Sequence, residues 1–110
     1  MKMNYFVFGT NNMKVATKFY EELFNDYEIN KVVGEGRMTL WLGELFAFAL
    51  AEPFDGKAAT VGNGTMLGLN LDSIEEVDRL YQKGIALGGT CEGLPKIRSN
   101  KHSAYIRDLD

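Results

Sequence analysis

Three residue types are scarce in this sequence of 110 residues, which has one cysteine, one histidine and two prolines. Cys91 has no second cysteine to pair with, so no intrachain disulfide forms, which fits a reducing compartment and predicts a cytoplasmic location. A long apolar run is also missing, because Leu45 to Ala51 is far shorter than the roughly 20 residues that cross a bilayer. The N-terminal letters MKMNYFVFG enter a strand-like alternation at once and leave no room for a secretory signal. The sequence therefore predicts neither a membrane span nor export.

A surplus of positive charge is absent as well. Twelve Lys and Arg against fifteen Asp and Glu give a net charge of −3, and the basic residues are scattered. A groove that follows phosphates needs clustered cations, so nucleic acid is not an expected partner. A hydrophobic content of 45% with 25% charged residues is ordinary for a globular protein, and the length suits one domain.

The chain is organised around the string PFDGKAATVGNGT, which runs from Pro53 to Thr65. It is rich in Gly, Pro, Asp and Asn, and this composition predicts a long loop between two similar halves. In the first half, Asn12 is a candidate N-cap for a helix with an inward apolar stripe. Alternating and apolar runs predict the strands of this half, at residues 4–10, 27–33, 37–42 and 45–51. The first half is therefore predicted to be β-α-β-β-β.

The second half repeats this order with one strand fewer. Thr65 to Leu71 is a strand-like run, Ser73 to Glu76 has the form of a capping box, and strands are predicted at Thr90 to Ile97 and Ser103 to Arg107. Shifting the chain by 61 residues aligns residues 5–20 with residues 66–81, so that Tyr20 meets Tyr81. We infer an internal repeat whose second copy lacks its last strand.

Several strings give the chain a family-level resemblance. FGTNN stands before a helix that contains FY, PFDGKAATVGNGT joins the halves, GGT follows the second helix and AYIRDLD is at the end. In this order the chain resembles the vicinal oxygen chelate superfamily, which includes glyoxalases, bleomycin resistance proteins and extradiol dioxygenases, and in particular its small bacterial glyoxalase-like members. The resemblance covers the whole chain.

The resemblance implies an α+β fold in which paired β-α-β-β-β modules form a half-open barrel with a central cleft. In this chain the modules would span about residues 1–52 and 65–110 of a single domain, joined by the loop 53–64, with the final strand missing. It also implies an assembly of two chains, so a homodimer is expected.

Enzymes of this superfamily hold a divalent metal with His, Gln or Glu from the first and last strands of each module. Carried onto this chain, the first-strand positions are Tyr5 and Met66, and another falls on or near Phe46 or Phe48. Phenol, thioether and phenyl side chains are poor ligands for such a metal. The remaining carboxylate position would lie past Asp110. We therefore expect no metal and no other cofactor.

The leading functional interpretation is a metal-free, glyoxalase-like protein that binds a small, partly aromatic molecule in the cleft. The resemblance places aromatic and apolar side chains around that cleft, namely Tyr5, Met66, Trp41, Phe46, Phe48 and Tyr105. One alternative is a metal-dependent lyase or isomerase of the glyoxalase type, or a dioxygenase. Another is a structural or partner-binding module whose cleft has lost its ligand.

Other residues that could carry chemistry have simpler interpretations. His102 is the only histidine and is read as a solvated loop imidazole, since no nearby residue in the sequence would orient it. Cys91 is read as a passive strand residue. Glu44 and Glu52 could form an acid-base pair but are better explained as solvated strand ends. Gly62-Asn63-Gly64 lacks the Lys-Ser/Thr sequel of a phosphate loop, and a turn with positive φ accounts for it.

Overall fold

The computed structural model describes the backbone of residues 1–110 and all side chains except those of Val33 and Glu35. The elements occur in the order β1 (Tyr5–Gly9), α1 (Met13–Phe24), β2 (Asn30–Glu35), β3 (Met38–Leu42), β4 (Ala47–Ala51), α2 (Ile74–Ala86), β5 (Thr90–Arg98) and β6 (Lys101–Arg107). This mixture of helices and strands confirms the predicted α+β class. The chain divides into two compact units, unit 1 with residues 1–61 and 110, and unit 2 with residues 62–109. Within the described residues, no helix combines the length and the apolar character needed to cross a membrane.

Unit 1 contains a four-stranded sheet with the order β1-β4-β3-β2. β1 runs parallel to β4, with Tyr5 beside Ala47 and Gly9 beside Ala51, whereas β4, β3 and β2 are joined antiparallel. Parallel neighbours need a crossover connection rather than a tight turn, and the connection from β1 to β4 passes through α1. Gly36 in the β2–β3 turn has a φ of +64°, a conformation that glycine adopts at low cost. The predicted β-α-β-β-β order of the first half is confirmed.

The start of α1 is fixed by the cap that the sequence predicts. The side-chain oxygen of Asn12 accepts a hydrogen bond from the backbone N–H of Val15 at 3.2 Å, which satisfies one of the free donors of the first turn. Residues spaced three and four apart then form the buried face that packs on β3 and β4, namely Ala16, Phe19, Tyr20, Leu23 and Phe24. The helix therefore covers one face of the sheet.

An aromatic cluster fills the space between α1 and the sheet. The ring of Phe48 lies 4.7 Å from that of Tyr20 and 5.5 to 5.8 Å from the rings of Phe8, Phe24 and Trp41. Trp41 is 1% exposed and Phe48 is 0% exposed. The assignment of these two residues to a ligand cleft is therefore corrected. Alternate residues of a strand face opposite sides, and both of these side chains are on the side that α1 covers.

The glycine-rich loop after unit 1's last strand is held at both of its ends by hydrogen bonds. On the unit 1 side, the side-chain nitrogen of Asn11 donates to the carbonyl of Ala59 at 2.9 Å, and the N–H of Ala59 donates to the Asn11 oxygen at 2.7 Å. In unit 2, the N–H of Thr65 donates to the carbonyl of Gly62 at 2.8 Å, and Gly64 has a φ of +94°. The predicted loop and its turn with positive φ are confirmed.

The strand predicted at Thr65 to Leu71 is not present. Among the described residues, no helix or strand lies between Glu52 and Ser73. In unit 1 the equivalent strand, β1, is held by its ladder with β4. No described strand of unit 2 pairs with residues 65–71, so a sequence with strand propensity has no ladder to join.

In unit 2, α2 packs on the hairpin formed by β5 and β6. The Ser73 hydroxyl accepts from the N–H of Glu76 at 3.1 Å, which confirms the predicted N-cap. The helix begins at Ile74, which is 61 positions after Met13 where α1 begins, in agreement with the internal repeat.

The β5–β6 hairpin turns through Ser99 and Asn100, which both have positive φ, at 49° and 65°. Such a turn matches the right-handed twist of the two strands. The register shifts twice, between Cys91 and Gly93 and between Gly93 and Lys96, and in both places the extra residue is on β5. β6 is therefore the regular strand of the pair, and both strands were predicted to within three residues.

Candidate functional site

The sheet of unit 1 carries a groove on the face that α1 leaves open. Its volume is about 420 Å³. The lining is mostly apolar and comes from β1, β3, β4 and the residue before β1, namely Asn4, Tyr5, Met38, Leu40, Leu42, Ala47 and Ala49. All of these residues belong to unit 1.

The strand register explains the shape of this groove. Ala47 and Ala49 form its floor on β4, the strand between β1 and β3, and of the two Ala47 is half-buried and Ala49 fully buried. Tyr5 on β1 and Leu42 on β3 stand on either side of Ala47, and Leu40 stands beside Ala49. Because methyl groups are short and the flanking side chains are long, the middle strand is lower than its neighbours on this face. We call this site the alanine trough, with its floor of Ala47 and Ala49 and its walls of Tyr5, Met38, Leu40 and Leu42.

Two polar side chains among the lining residues give the trough hydrogen-bonding capacity. Tyr5 is 61% exposed, so both its ring and its hydroxyl can contact a bound molecule. Asn4 precedes it and has an amide that can donate and accept. An apolar depression with a few polar groups at its rim is typical of small-molecule sites. The described lining offers no side chain that would act as a nucleophile or general base at neutral pH.

The donor set of the trough does not fit the divalent metal of the resembled enzymes. Its side-chain donors are the phenol of Tyr5, the amide of Asn4 and the thioether of Met38, without a carboxylate or an imidazole. Zinc, iron, manganese and nickel sites of proteins are built from imidazole, carboxylate or thiolate ligands. Among the described residues, no group of three His, Cys, Asp or Glu side chains lies close enough together to hold a metal ion.

The other sequence-predicted cleft residues are not part of the trough lining. Phe46 is half-buried just before β4, and its ring lies against Gly43. Met66 and Tyr105 belong to unit 2. Met66 is 69% exposed, and the ring of Tyr105 lies 5.1 Å from the guanidinium carbon of Arg98 in a cation-π contact. That Met66 and Tyr105 face Tyr5 across a cleft stays a prediction.

His102 has a partner that the sequence analysis missed. Its Nε2 lies 2.7 Å from Oδ1 of Asp78 on α2, and its side chain is 17% exposed. The interpretation of His102 as a solvated loop imidazole is therefore wrong. The internal repeat was the signal for this contact. It aligns Asp78 of α2 with Thr17 of α1, and the Thr17 hydroxyl lies 3.2 Å from the Thr39 hydroxyl on β3. At this aligned position, each helix thus makes a polar contact with its own sheet.

Cys91 lies next to a buried tyrosine of α2. A hydrogen bond with the Cys91 side chain, followed by burial and by the electrostatic interaction with Cys91, raises the pKa of Tyr81 above its ordinary value. Cys91 itself is exposed. The neighbouring Glu92 is paired with Arg107 at 2.9 Å.

Glu44 and Glu52 lie at opposite ends of β4, and both are exposed. The carbonyl of Glu52 accepts a hydrogen bond from Arg37 at 2.9 Å. This placement agrees with solvated strand ends, and neither carboxylate is among the trough's lining residues.

Solved structures provide the comparison with known proteins, since no family model and no curated protein matches the chain. A glyoxalase-related enzyme from Fulvimarina pelagi is 19% identical with a TM-score of 0.72, over 90% of this chain and 73% of that one. A lactoylglutathione lyase from Agrobacterium tumefaciens is 20% identical with a TM-score of 0.68, over 97% of this chain and 85% of that one. At these identities the two likenesses show the fold alone.

A third solved structure is more similar. A glyoxalase/bleomycin resistance protein from Albidiferax ferrireducens T118 is 34% identical to this chain, with a TM-score of 0.87. The match covers 98% of this chain and 90% of that one. Agreement in both sequence and fold over nearly the whole length confirms the resemblance, and the chain belongs to the glyoxalase/bleomycin resistance protein family.

Proposed function

We propose that this protein is a metal-free, glyoxalase-like protein that binds a small, partly aromatic molecule in the alanine trough. The observation that carries the proposal is the apolar depression over the half-buried Ala47, which lies between Tyr5 of β1 and Leu42 of β3. A sheet face that only had to stay in solvent would not need an apolar depression of about 420 Å³. This volume falls within the roughly 300–1,000 Å³ of small-molecule sites.

The side chains that form the walls of the trough indicate which kind of ligand would bind. Leu40 and Leu42 present apolar surface, and each Å² of apolar surface that a ligand removes from water contributes about 25 cal/mol. The Tyr5 ring adds a face or an edge for an aromatic group, worth about 0.5–1.5 kcal/mol beyond the area buried. The Tyr5 hydroxyl and the Asn4 amide would orient one polar substituent. A planar aromatic compound with one or two polar groups therefore suits the trough better than a sugar or a polyanion.

The alternative function is metal-dependent catalysis by a lyase, an isomerase or a dioxygenase, and a lyase is what the name of the protein from Agrobacterium tumefaciens gives for that protein. In this chain the corresponding chemistry would have to be supported by Tyr5, Asn4 and Met38, which lack the usual ligand groups. We therefore expect less than about 0.1 equivalent of divalent metal per chain in dialysed protein, measured by elemental analysis. About one equivalent of nickel, zinc, iron or manganese would contradict the metal-free proposal.

Ligand binding is tested by a thermal-shift screen of aromatic metabolites and antibiotics. A compound that binds at 100 times its Kd stabilises the folded protein by about 2.7 kcal/mol, which raises the melting temperature by several degrees. Ala47→Phe should abolish the shift because the new ring occupies the floor of the trough. The matched control is Val32→Phe, which adds a ring at a half-exposed position on β2 outside the trough lining.

Three outcomes separate the candidate functions. A shift that Ala47→Phe removes and Val32→Phe keeps supports binding in the trough. A shift that survives Ala47→Phe places the ligand elsewhere and overturns the assignment of the site. A screen without any hit favours the third interpretation, a structural or partner-binding module.

A further inference from the structure

The end of the alanine trough that lies away from Tyr5 carries an arginine. Arg37 directly precedes β3, and its Nη2 lies 3.7 Å from the sulfur of Met38, a residue of the trough wall. Leu42, at the other end of β3, stands across the floor from Tyr5. The step from Leu42 to Met38 corresponds to about 13 Å of strand, at about 3.3 Å for each residue. The trough therefore has an aromatic end at Tyr5 and a cationic end at Arg37.

Three contacts within unit 1 hold the guanidinium of Arg37 in place. Its Nη1 donates to the backbone carbonyl of Glu52 at 2.9 Å, and its Nη2 contacts the Met38 sulfur. The ring of Phe54 lies 5.5 Å from the guanidinium carbon in a cation-π contact. Phe54 is 90% exposed, so this contact fixes the arginine without burying it. A side chain that is already held in place loses less freedom when it binds an anion.

The positive charge of Arg37 is not balanced by a carboxylate among the described side chains. Lys31, Arg79 and Arg107 each form an ion pair with a glutamate, whereas Arg37 forms none. Its contact with Glu52 uses the backbone oxygen of that residue and not the carboxylate. A guanidinium has five N–H donors, and the two contacts of the Nη atoms occupy at most two of them. Donors and charge are therefore available to an anion at this end of the trough.

The trough lining does not oppose a negative charge. Its described residues include no Asp or Glu, and the exposed carboxylates of Glu44 and Glu52 lie outside the lining. A cationic ligand would meet Arg37 without meeting a carboxylate. The lining contains no further cation, and one guanidinium balances one negative charge, which suits a carboxylate better than a phosphate dianion.

We propose that the alanine trough selects aromatic monocarboxylates, with the aromatic ring of the ligand beside Tyr5 and its carboxylate on the guanidinium of Arg37. This inference rests on the proposed binding function and adds the charge and the orientation of the ligand. The span of the trough favours an acid whose carboxylate is separated from the ring by several bonds. Arg37 is then a specificity-determining residue of the site.

The trough and Arg37 have separate effects on binding. An acid and its neutral amide bury nearly the same apolar area, so the alanine floor and the walls do not distinguish them. The guanidinium does, because its hydrogen bonds to a carboxylate are charge-assisted and can be bidentate. Arg37 is exposed, so water and salt weaken the attraction. We therefore expect the acid to bind about five- to tenfold more tightly than the amide.

A matched pair of probes tests this expectation. The acid probe is ω-(β-naphthyl)butanoate, and the amide probe is the corresponding ω-(β-naphthyl)butanamide, which has the same ring and chain without the charge. Both are titrated into isotopically labelled protein at neutral pH and low salt, and the Kd of each is measured from NMR chemical shifts. The backbone signals of Ala47 and Ala49 report whether a probe occupies the trough. Raising the salt concentration to about 0.5 M should reduce the preference for the acid, because salt screens exposed charges.

Three variants assign the preference to a residue. Arg37→Gln should bring the two Kd values to within about twofold of each other, and Arg37→Glu should make the amide the tighter ligand, because like charges repel. Lys18→Gln is the matched control, since it removes one positive charge from the exposed side of α1, on the opposite face of the sheet. This variant should keep the wild-type preference. Ala47→Phe should abolish the binding of both probes.

The failure of this inference differs from the failure of the proposed function. Equal Kd values for the two probes in the wild type, or a preference for the acid that persists in Arg37→Gln, would overturn the role of Arg37 and leave the trough as a binding site. Binding that survives Ala47→Phe, or the absence of binding by both probes at millimolar concentration, would refute the trough and the role of Arg37 together.

Discussion

Truncating Phe48 tests whether this side chain belongs to the core or to a ligand site. Its ring is fully buried and lies within 4.7 to 5.8 Å of four other aromatic rings. A buried Phe→Ala change costs about 3–5 kcal/mol, and the lost edge and tilted contacts place Phe48→Ala in the upper half of that range. This is a large part of the roughly 5–15 kcal/mol that stabilises a typical domain. Phe48→Leu keeps most of the apolar volume and should cost about 1–2 kcal/mol.

Urea denaturation followed by tryptophan fluorescence measures this loss. Trp41 is the only tryptophan, and its ring lies 5.8 Å from that of Phe48, so it reports on the affected core. Leu45→Ala is the control, because Leu45 is 85% exposed and its truncation should change the unfolding free energy by less than about 0.5 kcal/mol. A loss below about 1.5 kcal/mol for Phe48→Ala would refute the placement of this ring in the core.

Three further predictions concern unit 2. A double-mutant cycle of Asp78→Asn and His102→Gln should give a coupling of about 0.5–1.5 kcal/mol in urea denaturation, and a value near zero would mean that the contact contributes nothing to stability. The contact with Cys91 raises the pKa of Tyr81, so the folded protein holds the phenol proton of Tyr81 more tightly than the unfolded chain does. The unfolding free energy should fall as the pH rises above about 10, and Tyr81→Phe should reduce that fall. If the variant's unfolding free energy depends on pH as the wild type's does, Tyr81 is not the group responsible. Ser73→Ala should lower the unfolding free energy by about 1 kcal/mol because it removes the N-cap of α2. An unchanged unfolding free energy would argue against the cap.

The elements that the sequence predicted correctly depend on local physics. Asn12 and Ser73 cap helices because their side chains reach N–H groups three residues away, and such contacts are visible in the order of residues. The loop glycines were identified for the same reason, since positive φ is a property of single residues. The internal repeat added the equivalence of Met13 and Ile74 as helix starts. Fold class and most element positions follow from such signals.

The errors arise where a distant part of the chain decides the outcome. Residues 65–71 have the propensity of a strand, but a strand needs a ladder, and the ladder depends on another element. Trp41 and Phe48 could have lined a cleft or a core, and the position of α1 decides between these. The contact between His102 and Asp78 joins residues 24 positions apart, so no local pattern announces it.

The letters AFALA of β4 place the buried core residues and the residues of the proposed site on opposite faces of one strand. Phe48 and Leu50 point to α1 and are 0% and 1% exposed, while Ala47 and Ala49 line the trough on the other face, where Ala47 is half-buried and Ala49 is 0% exposed. The alternation of large and small residues was visible in the sequence, but its meaning required knowing which face the helix covers. Because the two sets face opposite sides, we expect a change at Ala47 to alter the proposed binding while the aromatic core stays intact. We expect a change at Phe48 to act in the reverse way, lowering the unfolding free energy while the trough-side residues stay unchanged.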